Sequence, residues 1–237
     1  MKRFFSRLPW VAATLVALCA AASLVPATAL EYDRAQVEAG EVWRLLTGQM
    51  IHWTPRMALF DLGMLLGLGI WLELRGDRRL LTGTLVLGAC LTGLAVHALS
   101  PGLLAYRGSS GLASALFVLA AVRVADSPDR WTRILALAAI ALFLAKAAYE
   151  SLAGQALFAG PLPPGVRVVP LVHLLGGVCG LCGIRGQSAR RPRGRLARVK
   201  PFQLSRVGNS RSWPPARTAW SRWWQRPPAP ASSPARD

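Results

Sequence analysis

Six apolar runs, cut apart by short polar connections, occupy most of the first 184 residues. They cover 8–30, 57–72, 80–99, 109–122, 134–149 and 168–184, and the longest is uncharged throughout its 23 residues. In hydrocarbon every backbone N–H and C=O must pair within the protein, and a lone apolar run meets that demand as a helix. A bilayer core of about 30 Å takes roughly 20 helical residues. The pattern predicts an all-α membrane protein built as a bundle of six transmembrane helices.

Charge confirms the class and divides the chain. Charged residues make up 16% of the 237, against about 25% in an ordinary soluble domain. Residues 185–237 hold 13 of the 28 Lys and Arg and a single acid, Asp237. Two regions are therefore expected: a membrane domain over 1–184 and a basic tail over 185–237. The tail has no sustained apolar period and reads as disordered. Its Trp213, Trp220, Trp223 and Trp224 interleave with arginines, a composition suited to anionic lipid at the cytoplasmic face. Nucleic acid is the less favoured partner, and an extension without function is the plain alternative.

Basic residues gather in the connections after the second and fourth runs, at Arg75, Arg78, Arg79, Arg123, Arg130 and Arg133, and at both chain ends. The positive-inside rule then puts both termini in the cytoplasm and the starts of the fourth and sixth runs at the outer side. The first run is read as a retained helix. A cleaved signal peptide is its rival, since Ala27-Thr28-Ala29 resembles a small-residue cleavage site.

Ionisable side chains inside a membrane are costly and point to function by default. Ser110 opens the fourth run within Gly108-Ser109-Ser110-Gly111, and His173 lies six residues into the sixth, followed by Gly176 and Gly180. A serine hydroxyl is a weak nucleophile until a base takes its proton, and histidine has the pKa for that task. A helix start also leaves backbone N–H groups free to hold a developing oxyanion. Gly108 and Gly111 allow close approach of backbone and substrate. Gly176 and Gly180 share a face with His173, so small residues on both helices permit tight packing. The two can share a depth only if the fourth helix starts below the membrane surface. Taken singly, Ser110 reads equally as a small packing residue and His173 as a histidine bonded to a carbonyl; the pair together carries the catalytic reading.

Other features say less. Cys179 and Cys182 have the spacing of half a zinc site but no second Cys or His pair, so no metal and no cofactor are expected. His97 near a run's end is expected to face solvent or headgroups. Lys146 and Glu150, four apart, are read either as an ion pair on one helical face or as substrate contacts. No buried acid is evident to orient His173, so the expected machinery is a Ser110–His173 dyad.

These residues resemble the rhomboid family of intramembrane serine proteases, which have six helices, Gly-x-Ser-Gly at the head of the fourth and His-x-x-Gly-x-x-x-Gly on the sixth. Trp43-Arg44-Leu45-Leu46-Thr47 is similar to the family's first loop. Within the family the resemblance is to rhombosortases, carried by the stretches around Trp43, Tyr106–Phe117, Ala145–Glu150 and Val169–His173. It implies a serine endopeptidase of the bacterial inner membrane, acting on transmembrane proteins that end in Gly-Gly, a membrane helix and a basic tip. Where many rhomboids carry His-x4-His-x3-Asn, this chain has His52-x4-Met57-x3-Asp61. His52 matches the first position, while Asp61 replaces the amide that helps bind the oxyanion. An ionised Asp61 would repel that charge, so the resemblance leaves its role open. Ser109, Gly111, His52 and Asp61 stand as supporting candidates with Gly108. A catalytically inactive rhomboid-like protein that binds client helices is the alternative; a transporter, which would call for inverted repeats, is the weaker one.

Overall fold

A computed structural model describes residues 8–158, 160–164, 166 and 168–188. The basic N-terminal residues and nearly all of the expected tail lie outside them. The helices are α1 (Trp10–Ala22), α2 (Ala27–Leu30), α3 (Arg34–Glu38), α4 (Arg44–Thr47), α5 (Pro55–Leu74), α6 (Arg78–Leu99), α7 (Ser110–Ala125), α8 (Arg130–Ala153) and α9 (Pro170–Ser188). Two short strands, β1 (Tyr32–Asp33) and β2 (Ala105–Tyr106), pair antiparallel with Tyr32 opposite Tyr106. This small sheet, which joins distant parts of the chain, corrects the expectation of helices alone; two-residue strands carry no readable period.

Three helices, α5, α6 and α8, are long and apolar enough to cross a membrane, and α1, α7 and the apolar part of α9 are shorter. The first run departs most from expectation. Its helix stops after 13 residues at Ala22, a turn follows, and Ala27–Leu30 forms a separate helical turn. Pro26 has no N–H to continue the ladder and disfavours helix at Val25, while Ser23 Oγ donates back to the Cys19 carbonyl at 3.0 Å. Helix α8 is longer than its apolar run because Asp129 caps it, accepting from Thr132 N at 2.7 Å, so residues 130–133 join the helix.

Helix α7 is the centre of the bundle. Between Gly111 and Ala121 nearly every residue is buried, with α5, α6, α8 and α9 around it. One core cluster joins Leu65 and Leu72 of α5, Leu81 and Leu85 of α6, and Leu116 and Leu119 of α7, with α1 packed on its edge. The outward faces of the peripheral helices are apolar too: Leu59 and Leu142 are among the most exposed large side chains. An apolar exterior of this extent suits lipid rather than water.

Each end of the bundle has its own polar clamp. At one, the Glu73 carboxylate accepts from Ala12 N at 2.8 Å, satisfying an orphan N–H in the first turn of α1. Its other oxygen meets Arg78 Nε at 3.0 Å, and Asp77 pairs with Arg123 at 2.8 Å. At the other, Arg44 donates to the Thr28 and Glu31 carbonyls, and Arg34 donates to the carbonyls of His97 and Ser100 at the end of α6. His97, expected to face solvent or headgroups, is half-buried, with its Nδ1 3.1 Å from the Tyr32 hydroxyl.

Candidate active site

The β1–β2 pairing sets the position of Ser110. Strand β2 holds Tyr106 in the interior at 7% exposure, and the chain then turns through Gly108 at φ 140°, a backbone conformation that favours glycine. Gly108 N donates to the Gly48 carbonyl at 3.0 Å, so the stretch containing Trp43 and Thr47 anchors the turn from below. Tyr106 donates its hydroxyl proton to the Gly108 carbonyl at 2.8 Å, and the Tyr106 hydroxyl oxygen also adjoins the Ser110 side chain. Ser109 is 1% exposed, and α7 begins at Ser110. The helix thus starts four residues after the paired strand β2 ends.

Glycine contacts bring α9 level with it. A Cβ at Gly111 would meet the Val172 carbonyl at 3.2 Å, and one at Gly176 would overlap the Gly111 carbonyl oxygen. Gly180 abuts the Ala115 carbonyl in the same way. Backbone therefore runs against backbone, with Gly111 wedged between Val172 and Gly176, one turn apart on α9. Ser110 and His173 consequently face one cavity of about 790 Å³, whose walls come from α5, α7, α8 and α9. Phe60 and Phe158, stacked with ring centroids 5.9 Å apart, close part of its apolar wall. Among the described residues no hydrogen bond joins Ser110 to His173. Such bonds often form only once substrate is bound.

The expectation that His173 has no acid partner does not hold. His173 is 7% exposed and Glu150 is 2% exposed. Glu150 Oε2 lies 3.0 Å from His173 Nδ1, a hydrogen-bond distance, although the ring N–H points off the carboxylate and Nδ1 has no well-aligned partner. The same oxygen is 2.7 Å from Lys146 Nζ, and Oε1 accepts from Leu157 N at 3.0 Å. The Lys146–Glu150 spacing was legible as a pair on one helical face. That the carboxylate reaches a histidine on another helix was not, since sequence separation says nothing of the approach of α8 to α9.

The supporting candidates form a second group on the α5 side. His52 Nε2 lies 3.0 Å from Ser109 Oγ and 3.4 Å from Asp61 Oδ2. His52 Nδ1 and Asp61 Oδ2 are both buried without a well-directed hydrogen bond. Met57 fills the space above Gly108, where a Cβ would come within 2.5 Å of its Cε. Asp61 lines the cavity beside Ser110; His52 stands behind Ser109 and does not line it. Above the opening Arg107 is gripped from two sides. It meets Glu31 Oε2 at 2.8 Å, and its guanidinium carbon stands 4.1 Å from the centre of the Trp53 ring.

What this site can do follows from its parts. It offers a hydroxyl at a helix N-terminus whose first N–H groups have no intrahelical acceptor, an imidazole, and a buried carboxylate beyond it. The cavity between them is lined largely by apolar side chains. No curated protein matches the chain significantly. The rhomboid domain profile matches residues 39–185. That stretch, more than half of the sequence, takes in the Ser110 turn, the His173 helix and everything packed between them, and the chain belongs to the rhomboid family, whose members are intramembrane serine proteases.

Proposed function

We propose that the protein is a serine endopeptidase of the rhombosortase kind, with Ser110 as nucleophile and His173 as general base and then acid. The observation that carries this reading is the common level of Ser110 and His173 in one cavity, imposed by the Gly111–Gly176 backbone contact. Ser110 Oγ bonds to the scissile carbonyl carbon as its proton passes to His173 Nε2. That proton then goes to the leaving amine nitrogen as the C–N bond breaks, giving an acyl-enzyme. Water adds to the ester carbon, loses a proton to His173, and Ser110 departs with that proton restored. The N–H groups at the start of α7 are the natural donors to the oxyanion. Gly108 and Gly111 keep side-chain bulk away from it.

The substrates in this reading are membrane proteins with a C-terminal Gly-Gly, transmembrane helix and basic tip. Six helices cross a bacterial inner membrane with both termini cytoplasmic, and the basic tail beyond the membrane domain lies on anionic lipid. The loop arginines and the rhombosortase-like stretches support this. The deciding experiment is labelling of the full chain in membranes with a fluorophosphonate, beside Ser110→Ala and His173→Ala, together with processing of a co-expressed Gly-Gly-tailed client. Labelling and cleavage lost in both variants are expected. Client capture without labelling of the wild type would replace the enzyme with a silent, helix-binding rhomboid.

A further inference from the structure

We propose that Glu150 is a positioning residue for His173, so that the machinery is Ser110–His173–Glu150 with Lys146 holding the carboxylate, and not a two-residue dyad; the inference rests on the reading of Ser110 and His173 above. A buried carboxylate is expensive unless fully paired. An i,i+4 pair with Lys146, here at 2.7 Å, could form on any face of α8. Glu150 instead stands where its Oε2 is 3.0 Å from one ring nitrogen of the histidine. Its Oε1 is pinned by Leu157 N at 3.0 Å, so the carboxylate is held at both oxygens and cannot swing away. Among the described residues no other acid is in ion-pair range of the His173 ring.

The consequence is chemical. Neutral imidazole has two tautomers, and a carboxylate beside Nδ1 favours the form with its proton there. The lone pair is then on Nε2, the nitrogen left for the cavity that Ser110 also lines. When Nε2 takes the Ser110 proton, the ring becomes cationic beside a fixed negative charge. The Nδ1 proton stays on the ring throughout, and Glu150 is ionised before and after the step. Lys146 keeps the carboxylate charged in an apolar bundle, with its ammonium 5.8 Å from the Phe158 ring centre. A small rotation of the imidazole brings the Nδ1–H onto Oε2, the kind of tightening expected when substrate binds.

The test is the kinetics of Ser110 labelling by a fluorophosphonate in the full-length protein, resolved into the rate at saturating probe and the half-saturating concentration. Glu150→Gln is expected to lower the saturating rate by about 100-fold or more while the half-saturating concentration stays within about twofold. Glu150→Asp is expected to recover part of that rate. Glu150→Gln leaves Lys146 unpaired, so the double variant Lys146→Met/Glu150→Gln, which buries no net charge, is measured beside it for both thermal midpoint and rate. A folded double variant that labels slowly supports the proposal. A single or double variant that labels as fast as wild type overturns Glu150's role alone, provided labelling is lost in Ser110→Ala. So does a loss that tracks only the folded fraction. Wild-type labelling that survives Ser110→Ala overturns the underlying assignment, and Glu150's role with it.

Discussion

The Cβ position of Gly176 lies 2.9 Å from the carbonyl carbon of Gly111, with Ser114 Cβ, on the same helix α7, at 3.1 Å. No side chain, however small, fits between α7 and α9 at this level. The contact sets the height of His173 relative to Ser110, since each is one to three residues from the glycine beside it.

Gly176→Ala should therefore separate the two helices at the site. Backbone atoms cannot rotate away as a side chain does, so a cost of about 1–3 kcal/mol is expected. The larger effect should be on chemistry: a displacement of about 1 Å at reacting groups can lower a rate roughly 100-fold. Fluorophosphonate labelling and thermal unfolding of Gly176→Ala measure both. Gly63→Ala, at a glycine with nothing within 4 Å of its Cβ position, is the control and should match wild type.

Asp61 is the departure from the family pattern that bears on the oxyanion. Its Oδ2 is buried beside His52 and lacks a well-directed partner. A negative carboxylate in the cavity opposes the charge that develops on substrate, whereas an amide of the same shape supplies an N–H. Asp61→Asn is expected to label Ser110 at least as fast as wild type. A loss of about tenfold or more would show that the carboxylate itself is required.

His52 stands behind Ser109 and outside the cavity lining, so its expected role is to support the turn. His52→Ala leaves the Ser109 hydroxyl buried without its 3.0 Å partner, a loss of about 1–3 kcal/mol. Chemical or thermal unfolding in detergent reads it out, and His52→Gln should restore part of the loss. Equal midpoints for wild type and His52→Ala would remove His52 from the support of the turn.

The Glu73 clamp at the opposite end should matter for stability and leave the chemistry alone. Arg78→Met strips the partner from a carboxylate that is 0% exposed, but Arg78 itself is 37% exposed, so solvent screens part of the effect. A destabilisation of about 1–2 kcal/mol is expected, with the labelling rate of the folded protein unchanged.

Asp129, outside the apolar part of α8, offers a pH test. Hydrogen bonds from Thr132 hold its carboxyl below the ordinary range. A folded pKa below the unfolded value means that the cap's contribution is fully present above the unfolded pKa and is lost as pH falls through the folded one. Asp129→Ala should thus lower the thermal midpoint at neutral pH, and the gap should close under acid conditions. A gap of constant size across that range would show that the carboxylate's charge plays no part.

The division between what was legible and what was not follows from range. Apolar length and the placement of charge are local properties, and they marked out the helical bundle, the Ser110 turn and the His173 helix directly. Gly176 and Gly180 were readable as a small-residue face because helical periodicity is local too. The early end of α1 was also in principle legible at Pro26, but an uncharged run masks a break that removes no hydrophobicity. His97 against Tyr32, His52 behind Ser109 and Glu150 at His173 had no such signal. Each joins residues 23 to 65 positions apart, and their meeting depends on how helices cross. The sequence alone determined which side chains are chemically able to act, and that a membrane-buried serine and histidine needed a recessed helix start to meet. Only the tertiary structure decided which acid stands beside the histidine. The approach of α8 to α9 is set by packing summed over many contacts, and no short stretch of chain encodes it.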